Sequence, residues 1–350
     1  MSEENLPETP AAPHLRRKRY SGKNPRRFEE KYKEHDPERY AATIAKVIAS
    51  GKTPAGTHRP IMVAGILDAL APKPGDVAVD CTLGHGGHAQ EILARIQPGG
   101  VLLGLDADPI ELPKTELRLR ALGFGAETLI AKRSNFAGIV HALATNGIAG
   151  ADIVLADLGV SSMQIDDPAR GFSVKFAGPL DMRMNPQRGQ PASALLEKIS
   201  AAALAKLLDE NADEPHAEAL AAALAGKKLA GTGELANAIR AALPTVKTDD
   251  ATLSVRRVFQ ALRIAVNDEF SALDMLLRQL PACTKPGGRI AILTFHSGED
   301  RRVKKSFDAG LREGIYAAVS DGVIRPSAAE QHSNPRSAPA KLRWARRAKS

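Results

Sequence analysis

The sequence predicts a doubly wound α/β fold, a mostly parallel sheet covered by helices on both faces. Three observations carry that expectation. Short apolar runs such as Asp76-Val-Ala-Val-Asp-Cys81 and Val101-Leu-Leu-Gly-Leu-Asp106 alternate with stretches of helical periodicity, the pattern of strands buried on both faces. The turn after the first run is glycine-rich, as strand-to-helix turns at ligand sites often are. The chain of 350 residues, 43% hydrophobic and 25% charged, has enough apolar text to fill one large domain or two ordinary ones.

Taken in order, Ile61 to Leu70 reads as a helix and Asp76–Cys81 as a short buried strand. Gly84 to Gly87 make a turn, and Ala89 to Ile96 a second helix closed by Pro98-Gly-Gly. Val101–Asp106 is a strand, Ile110 to Leu122 a helix and Glu127 to Ala131 a third strand. A helix through Phe136–Ala144 and the strand Asp152-Ile-Val-Leu-Ala-Asp157 follow. From about residue 164 to 250 the strand pattern vanishes and Ala, Leu, Lys and Glu dominate, which predicts a small helical insertion. One helix from about Leu253 to Leu280 leads back to a fifth strand, Arg289–Phe295. The expected organisation is a basic, disordered arm over 1–57, a core over 58–163 and 251–324, a substrate-side insertion over 164–250, and a basic tail over 325–350. The tail has room for one short strand at Leu342–Ala345.

The charge is unevenly placed. Residues 1–57 hold 12 Lys/Arg against 8 Asp/Glu, and residues 325–350 hold 7 against 1. The body between them is near neutral at −2 within a total of +8. A neutral body with basic ends points to a polyanionic partner reached by the ends. Tyr20 and Phe28, interleaved with the arm's arginines, suit stacking on bases, although a solvated tail is an equal reading. Cys81 and Cys283 are too few for a disulfide scaffold and lack metal-ligand spacing, so no metal is expected. The start at Met1-Ser-Glu-Glu has no secretory apolar region, and no run reaches the ~18–20 apolar residues that cross a bilayer. A cytoplasmic protein without a membrane partner is expected.

Ligands of an open parallel sheet bind beyond the carboxyl ends of its strands. There the sequence places Asp80-Cys-Thr-Leu-Gly-His-Gly-Gly-His88, Asp106, Phe136, Asp157-Leu-Gly-Val-Ser-Ser-Met-Gln164 and His296-Ser-Gly-Glu-Asp-Arg301. A glycine loop lets a ligand approach the backbone, and an acid ending the next strand clamps a ribose diol. Two cofactor classes share that plan. A dinucleotide wants a third glycine where this chain has Ala89, whereas Asp80, Gly84 and Gly86 fit the loop of S-adenosylmethionine enzymes, with Thr82 departing at the first glycine.

The longer strings go further. His58-Arg-Pro, Asp80 to His88, Asp157-Leu-Gly-Val-Ser-Ser, Asp166-Asp-Pro-Ala-Arg-Gly-Phe-Ser, Gly178-Pro-Leu-Asp-Met-Arg-Met, Phe259 to Asn267, Phe295 to Arg301 and Asn334 to Arg343 resemble the bacterial 16S rRNA cytosine-N4 methyltransferase family. The resemblance covers roughly residues 58–345, in order. It implies a class I, Rossmann-like methyltransferase fold and methyl transfer from S-adenosylmethionine to the exocyclic amine of a P-site cytosine. It also implies cofactor contacts at Gly86, Gly87, His88, Asp106, Phe136, Asp157 and Gln164. The implied partner is 16S rRNA in the small ribosomal subunit, with a homodimer as a possible assembly. The chain departs from the family at Leu253-Ser-Val-Arg-Arg, where a Pro-Ala-Thr-Arg type of string is usual, and at Gly298, usually Leu.

A cytosine amine is a poor nucleophile whose protons become acidic as the new N–C bond forms, so a site must align the groups and accept a proton. Asp157 is the first candidate acceptor, with Asp181 and His296 behind it. The aromatic motif that many amino-methyltransferases carry after the fourth strand is replaced by Asp157-Leu-Gly-Val. Carbon-5 methylation would need a thiolate, and Cys81 reads as a packed strand-end residue. Ser297-Gly-Glu-Asp300 reads as a helix N-cap with acids in the first turn. Gln260, Arg263 and Asn267 share one helix face, and Trp344 either stacks on RNA or pins the tail to the sheet. The rival readings are a nicotinamide-dependent oxidoreductase on the same fold and a non-catalytic rRNA-binding assembly factor.

Overall fold

The structure is a computed structural model that describes residues 60–349. Seven strands form one sheet in the order β3-β2-β1-β4-β5-β7-β6. β1 (Val77–Asp80), β2 (Val101–Asp106), β3 (Leu129–Arg133) and β4 (Ala151–Asp157) are mutually parallel, and β5 (Thr284–Thr294) runs parallel to β4. β6 (Tyr316–Val319) and β5 flank β7 (Lys341–Arg347), which is antiparallel to both. The chain winds outward from β1 through β2 to β3, then returns to place β4 on the other side. The carboxyl ends of β1 and β4 therefore bound the crevice in which such sheets hold ligands.

α1 (Val63–Leu70), α2 (Gly87–Ile96) and α3 (Glu111–Ala121) cover one face, packing Ile66, Ile92, Leu93 and Leu119 on Leu102, Ile153 and Leu293. α4 (Ile139–Thr145) lies on the other face. Between β4 and β5 run α5 (Ser162–Asp166), α6 (Ala192–Lys198), α7 (Ala201–Ala212), α8 (Ala217–Leu224), α9 (Thr232–Ala242), α10 (Thr248–Asn267) and α11 (Glu269–Cys283). Ser200 caps α7 by accepting from the Ala203 N–H, and Leu204, Leu208 and Ala212 recur every fourth residue to form its buried stripe. These helices share a separate core with Val255, Val258, Phe259 and Leu262 of α10. Each such fully buried aliphatic or aromatic side chain is worth roughly 1.5–3 kcal/mol relative to exposure. α10 thus belongs to the helical cluster as much as to the sheet, and a boundary at residue 250 falls inside its first turn. α11 and α12 (Ser297–Arg312) complete the second face through Leu273, Leu276, Val303 and Phe307.

Three expectations change. The single helix over 253–280 is two, broken at Asp268, whose left-handed φ of 52° ends α10 and starts α11. The break frees the Asn267 amide to donate to the Met182 carbonyl and accept from the Met184 N–H. The basic tail over 325–350 is instead folded chain. It carries α13 (Ala328–Ser333) and, at the expected strand Leu342–Ala345, the seven-residue β7 between β5 and β6. Three of its cations are engaged within the fold: Arg343 bonds Asp300 at 2.7 and 3.3 Å, Arg336 bonds Asp166 at 2.7 Å, and Arg347 donates to the Thr284 carbonyl. Trp344 packs against the core beneath α1 and α2, which answers its two readings in favour of the pin. β6 has no counterpart in the expected elements. The N-terminal arm, with His58 and Arg59, lies outside the described residues. Among the described residues no helix is long and apolar enough to cross a membrane, and no cluster of three or more His, Cys, Asp or Glu could hold a metal.

Candidate active site

A cavity of about 850 Å³ opens beyond the ends of β1, β2, β4 and β5. That volume is in the range of sites that enclose a drug-sized ligand. Its floor is the glycine loop. Gly84 and Gly86 are left-handed, at φ 48° and 69°, and Gly86 caps α2. A Cβ on Gly86 would stand 2.8 Å from Thr115 Cγ2, and one on Gly87 3.0 Å from the Pro60 ring. Gly86 lets the loop tuck under α3, where the Thr115 hydroxyl donates to the Gly84 carbonyl at 2.6 Å, and Gly87 makes room for Pro60. At Gly84 the nearest atom to an added Cβ is 3.6 Å away, so its backbone is open to a ligand.

Asp106, at the end of β2, accepts from the Gly84 N–H at 2.7 Å and the Asp108 N–H at 2.8 Å. Burial raises its carboxyl to about 6, although those two N–H groups pull the other way. Each oxygen keeps a lone pair for a further donor, which is what a ribose diol requires. Asp108 was not singled out from the sequence, yet it organises the wall. Its Oδ2 accepts from Gln164 Nε2 at 2.7 Å and from Arg170 Nη1 at 2.9 Å, and its Oδ1 caps α3 through the Ile110 N–H. Gln164 also accepts from the Ser161 N–H in a capping box, so its amide secures the segment after β4 while lining the cavity. Arg170 reaches on to the Arg183 and Met184 carbonyls.

Asp157 ends β4. Its N–H donates to the Thr82 hydroxyl at 2.7 Å, its Oδ2 lies 3.5 Å from His88 Nδ1, and its Oδ1 is buried with no partner. Burial, helped by the negative charge of Glu299, pushes its carboxyl up to about 7. Glu299 itself is buried, which would raise it. His296 beside it, the charge of Arg263 and the Phe295 N–H outweigh that and hold it below the usual carboxylate range. Arg263 is fixed in turn by a two-pronged bond to Glu269 at 2.8 and 2.9 Å. Asp80 is buried beneath the same floor, and its carboxyl is raised to about 6, mainly by burial. Cys81 lines the cavity, but burial and the neighbouring Asp80 hold its thiol well above the usual value. It offers no thiolate at neutral pH.

The remaining candidates divide. Phe136, following β3, lines the cavity beside Asn135. Asp181 does not line it. Its carboxylate is tied to Arg183 at 2.7 and 2.8 Å, which outweighs partial burial and keeps it below the usual range, so it cannot receive a proton from a substrate there. His296 also stands behind the wall, 3.1 Å from Glu299 and against the Phe270 ring, and it rather than Ser297 occupies the N-cap of α12. The Ser297 hydroxyl donates instead to Asp213 on the helical insertion. A Cβ on Gly298 would stand 2.6 Å from Phe270, which explains the glycine here: the ring occupies that space, with Arg302 stacked 3.7 Å from its centroid. Arg256, within the other departing string, is exposed and reaches the cavity. Sequence reasoning missed Glu299 as a cavity residue and Asp108 altogether. For Asp108 the signal lay in its place, two residues past the strand-end Asp106.

Residues 55–348 match the model of the MraW methylase family. A ribosomal RNA small subunit methyltransferase H 1 of Lachnoclostridium phytofermentans is 50% identical over 341 residues, which covers 95% of this chain and 93% of that protein. A ribosomal RNA small subunit methyltransferase H 2 of Alkaliphilus metalliredigens is 49% identical over 339 residues, covering 94% of this chain and 97% of that one. Both alignments take in more of the chain than residues 58–350 alone contain, so they extend into the basic arm.

Proposed function

This chain belongs to the MraW methylase family, and on that premise we propose that it methylates the exocyclic N4 amine of a cytosine in the P-site region of 16S rRNA, with S-adenosylmethionine as donor. One observation carries the reading. A single cavity brings together an open glycine loop, a strand-end carboxylate with lone pairs to spare, and a second strand-end carboxylate, Asp157, whose side chain is 21% exposed. The first two suit a nucleoside cofactor. The third suits an N–H donor brought by a substrate.

Gly86, Gly87 and His88 at the start of α2, together with Asp106, Phe136, Asp157 and Gln164, would hold the cofactor, which supplies an electrophilic methyl group on sulfonium. Asp106 would bond the ribose hydroxyls and Phe136 would cover the adenine. Asp157 would orient the amine and take its proton. The inert Cys81 favours nitrogen over carbon-5, because the carbon route needs a thiolate. We place the protein in the cytoplasm, acting on the small subunit, with a homodimer as an assembly compatible with that role.

Asp106→Ala should weaken S-adenosylmethionine binding by ~1.5–3 kcal/mol, the scale of hydrogen bonds to a charged group. Calorimetry reads this directly, and unchanged affinity would remove Asp106 from the cofactor site. Deleting residues 1–50 should leave cofactor affinity intact while binding to the subunit weakens. The slope of log affinity against log salt should become shallower by roughly 0.7–0.9 for each phosphate the arm no longer neutralises. Parallel salt lines of equal intercept would make the arm a solvated tail. The reaction itself is tested by incubating the protein with labelled S-adenosylmethionine and either naked 16S rRNA or intact small subunits. Label in N4-methylcytidine, greater from the subunit, supports the proposal. Label on another atom overturns it.

A further inference from the structure

His88 and Asp157 meet in a way that bears on where the amine proton goes. His88 is 7% exposed, and its Nε2 lies 2.9 Å from the Ile61 carbonyl, a group that only accepts. Nε2 therefore carries a hydrogen, and in the neutral ring Nδ1 is left as a bare lone pair. That lone pair lies 3.5 Å from Asp157 Oδ2. Two acceptors facing each other in a water-poor site repel until a proton stands between them. The other oxygen, Oδ1, is buried without a partner on a side chain that lines the cavity.

We propose that His88 is the second station of the amine's proton: Asp157 takes the proton on the cavity side and passes it to bridge its carboxyl and His88 Nδ1. The inference rests on the function proposed above and adds the proton's destination. As the nitrogen bonds to the methyl carbon, the carbon–sulfur bond breaks with its electron pair on sulfur, and the sulfonium becomes a neutral thioether. One N–H bond then breaks, its pair remains on nitrogen, and the proton moves to Asp157 Oδ2, the oxygen 3.5 Å from His88 Nδ1. There it stands between the carboxyl and the bare Nδ1, while buried Oδ1 stays out of the exchange. His88 acts through Asp157 and is a positioning residue in this scheme.

The surrounding charges suit this. Asp80 from β1, Glu91 from α2 and Glu330 from α13 face the imidazole. Glu299 from α12 and Asp80 face the carboxyl, with Arg263 of α10 behind Glu299. Burial disfavours the imidazolium and so lowers His88, while it raises Asp157, which keeps the ring neutral and makes the carboxylate a usable base near neutral pH.

His88→Gln tests the proposal, because its amide can still reach the Ile61 carbonyl but offers Asp157 no basic nitrogen. Rates are compared at saturating cofactor, so that any change in cofactor binding at His88 drops out of the comparison. The plateau of kcat should fall roughly 10²-fold, the lower end of what positioned acid–base groups supply. The acid limb of the kcat–pH profile should move to lower pH, because Asp157 no longer shares a proton with a bare nitrogen. An unmoved limb, or an unchanged plateau of kcat at saturating cofactor, overturns the relay. Nitrogen NMR of the histidine-labelled wild-type protein gives a second readout that needs no variant. The His88 Nδ1 shift should move together with the acid limb, and a silent Nδ1 across that limb also overturns the relay. Wild-type transfer to an atom other than N4 would instead overturn the function proposed above, a separate and distinguishable failure.

Discussion

Asp157→Ala should slow methyl transfer roughly 10²–10⁴-fold while RNA affinity stays within about threefold, because the side chain acts on the reacting amine and contributes little to ground-state binding. The argument runs through its surroundings. Asp157 sits at the end of β4, its backbone pinned by Thr82 and its partly exposed carboxyl lining the cavity. Alanine removes that acceptor and leaves the amine proton to bulk water. The same environment sets a pH dependence. Burial and Glu299 raise the carboxyl to about 7, so the ionised, proton-accepting form dominates above that value and is lost below it. Wild-type kcat should therefore fall as pH drops through about 7, and the alanine variant should lack that limb. Single-turnover rates under saturating cofactor measure both effects. Near wild-type turnover by the variant would remove Asp157 from the chemistry.

Arg170→Ala should destabilise the fold by about 3 kcal/mol, the low end of the ~3–5 kcal/mol expected when one partner of a buried ion pair is removed. Asp108 is 1% exposed and would lose its charged partner, retaining Gln164 and the backbone N–H groups at the start of α3. Arg170 also holds the Arg183 and Met184 carbonyls, so its loss frees the segment that carries Met184 into the cavity wall. Urea unfolding should show a lower midpoint, and cofactor affinity should fall with it. Pairing Arg170→Met with Asp108→Asn should recover part of the stability, because no unpaired charge then remains. A change within about 0.5 kcal/mol would mean that the pair is no more than a surface contact.

The strands that frame the cavity were legible because both faces of each are buried, so their apolar runs stand out against helical text. β1, β2 and β4 are of that kind. β7 was nearly hidden, since five of its seven residues are Lys, Arg or Trp, and only pairing with β5 and the inward salt bridges of Arg343 make such a sequence a strand. The break at Asp268 was invisible to periodicity, because the apolar stripes of α10 and α11 follow one another without a gap in the sequence. At the site, the strand-end rule located Asp106, Asp157 and the glycine loop, since position along a strand fixes where a side chain emerges. Asp181, a backup acceptor that the rule did not supply, and His296, which it did, stand outside the cavity lining, because Arg183 and Glu299 engage them. Glu299 was read as a capping acid, and it does accept from the Phe295 N–H. Its second role, raising the Asp157 carboxyl through its charge, couples residues far apart in the sequence and is announced by no local pattern.

The central claim is that this cavity methylates a cytosine amine in 16S rRNA. Nucleoside mass spectrometry of 16S rRNA from cells with and without the protein tests it most directly. The account predicts an N4-methylated cytidine that disappears without the protein, returns with the wild-type chain and does not return with Asp157→Ala. Unchanged nucleosides in the absence of the protein, or restoration by Asp157→Ala, would contradict it.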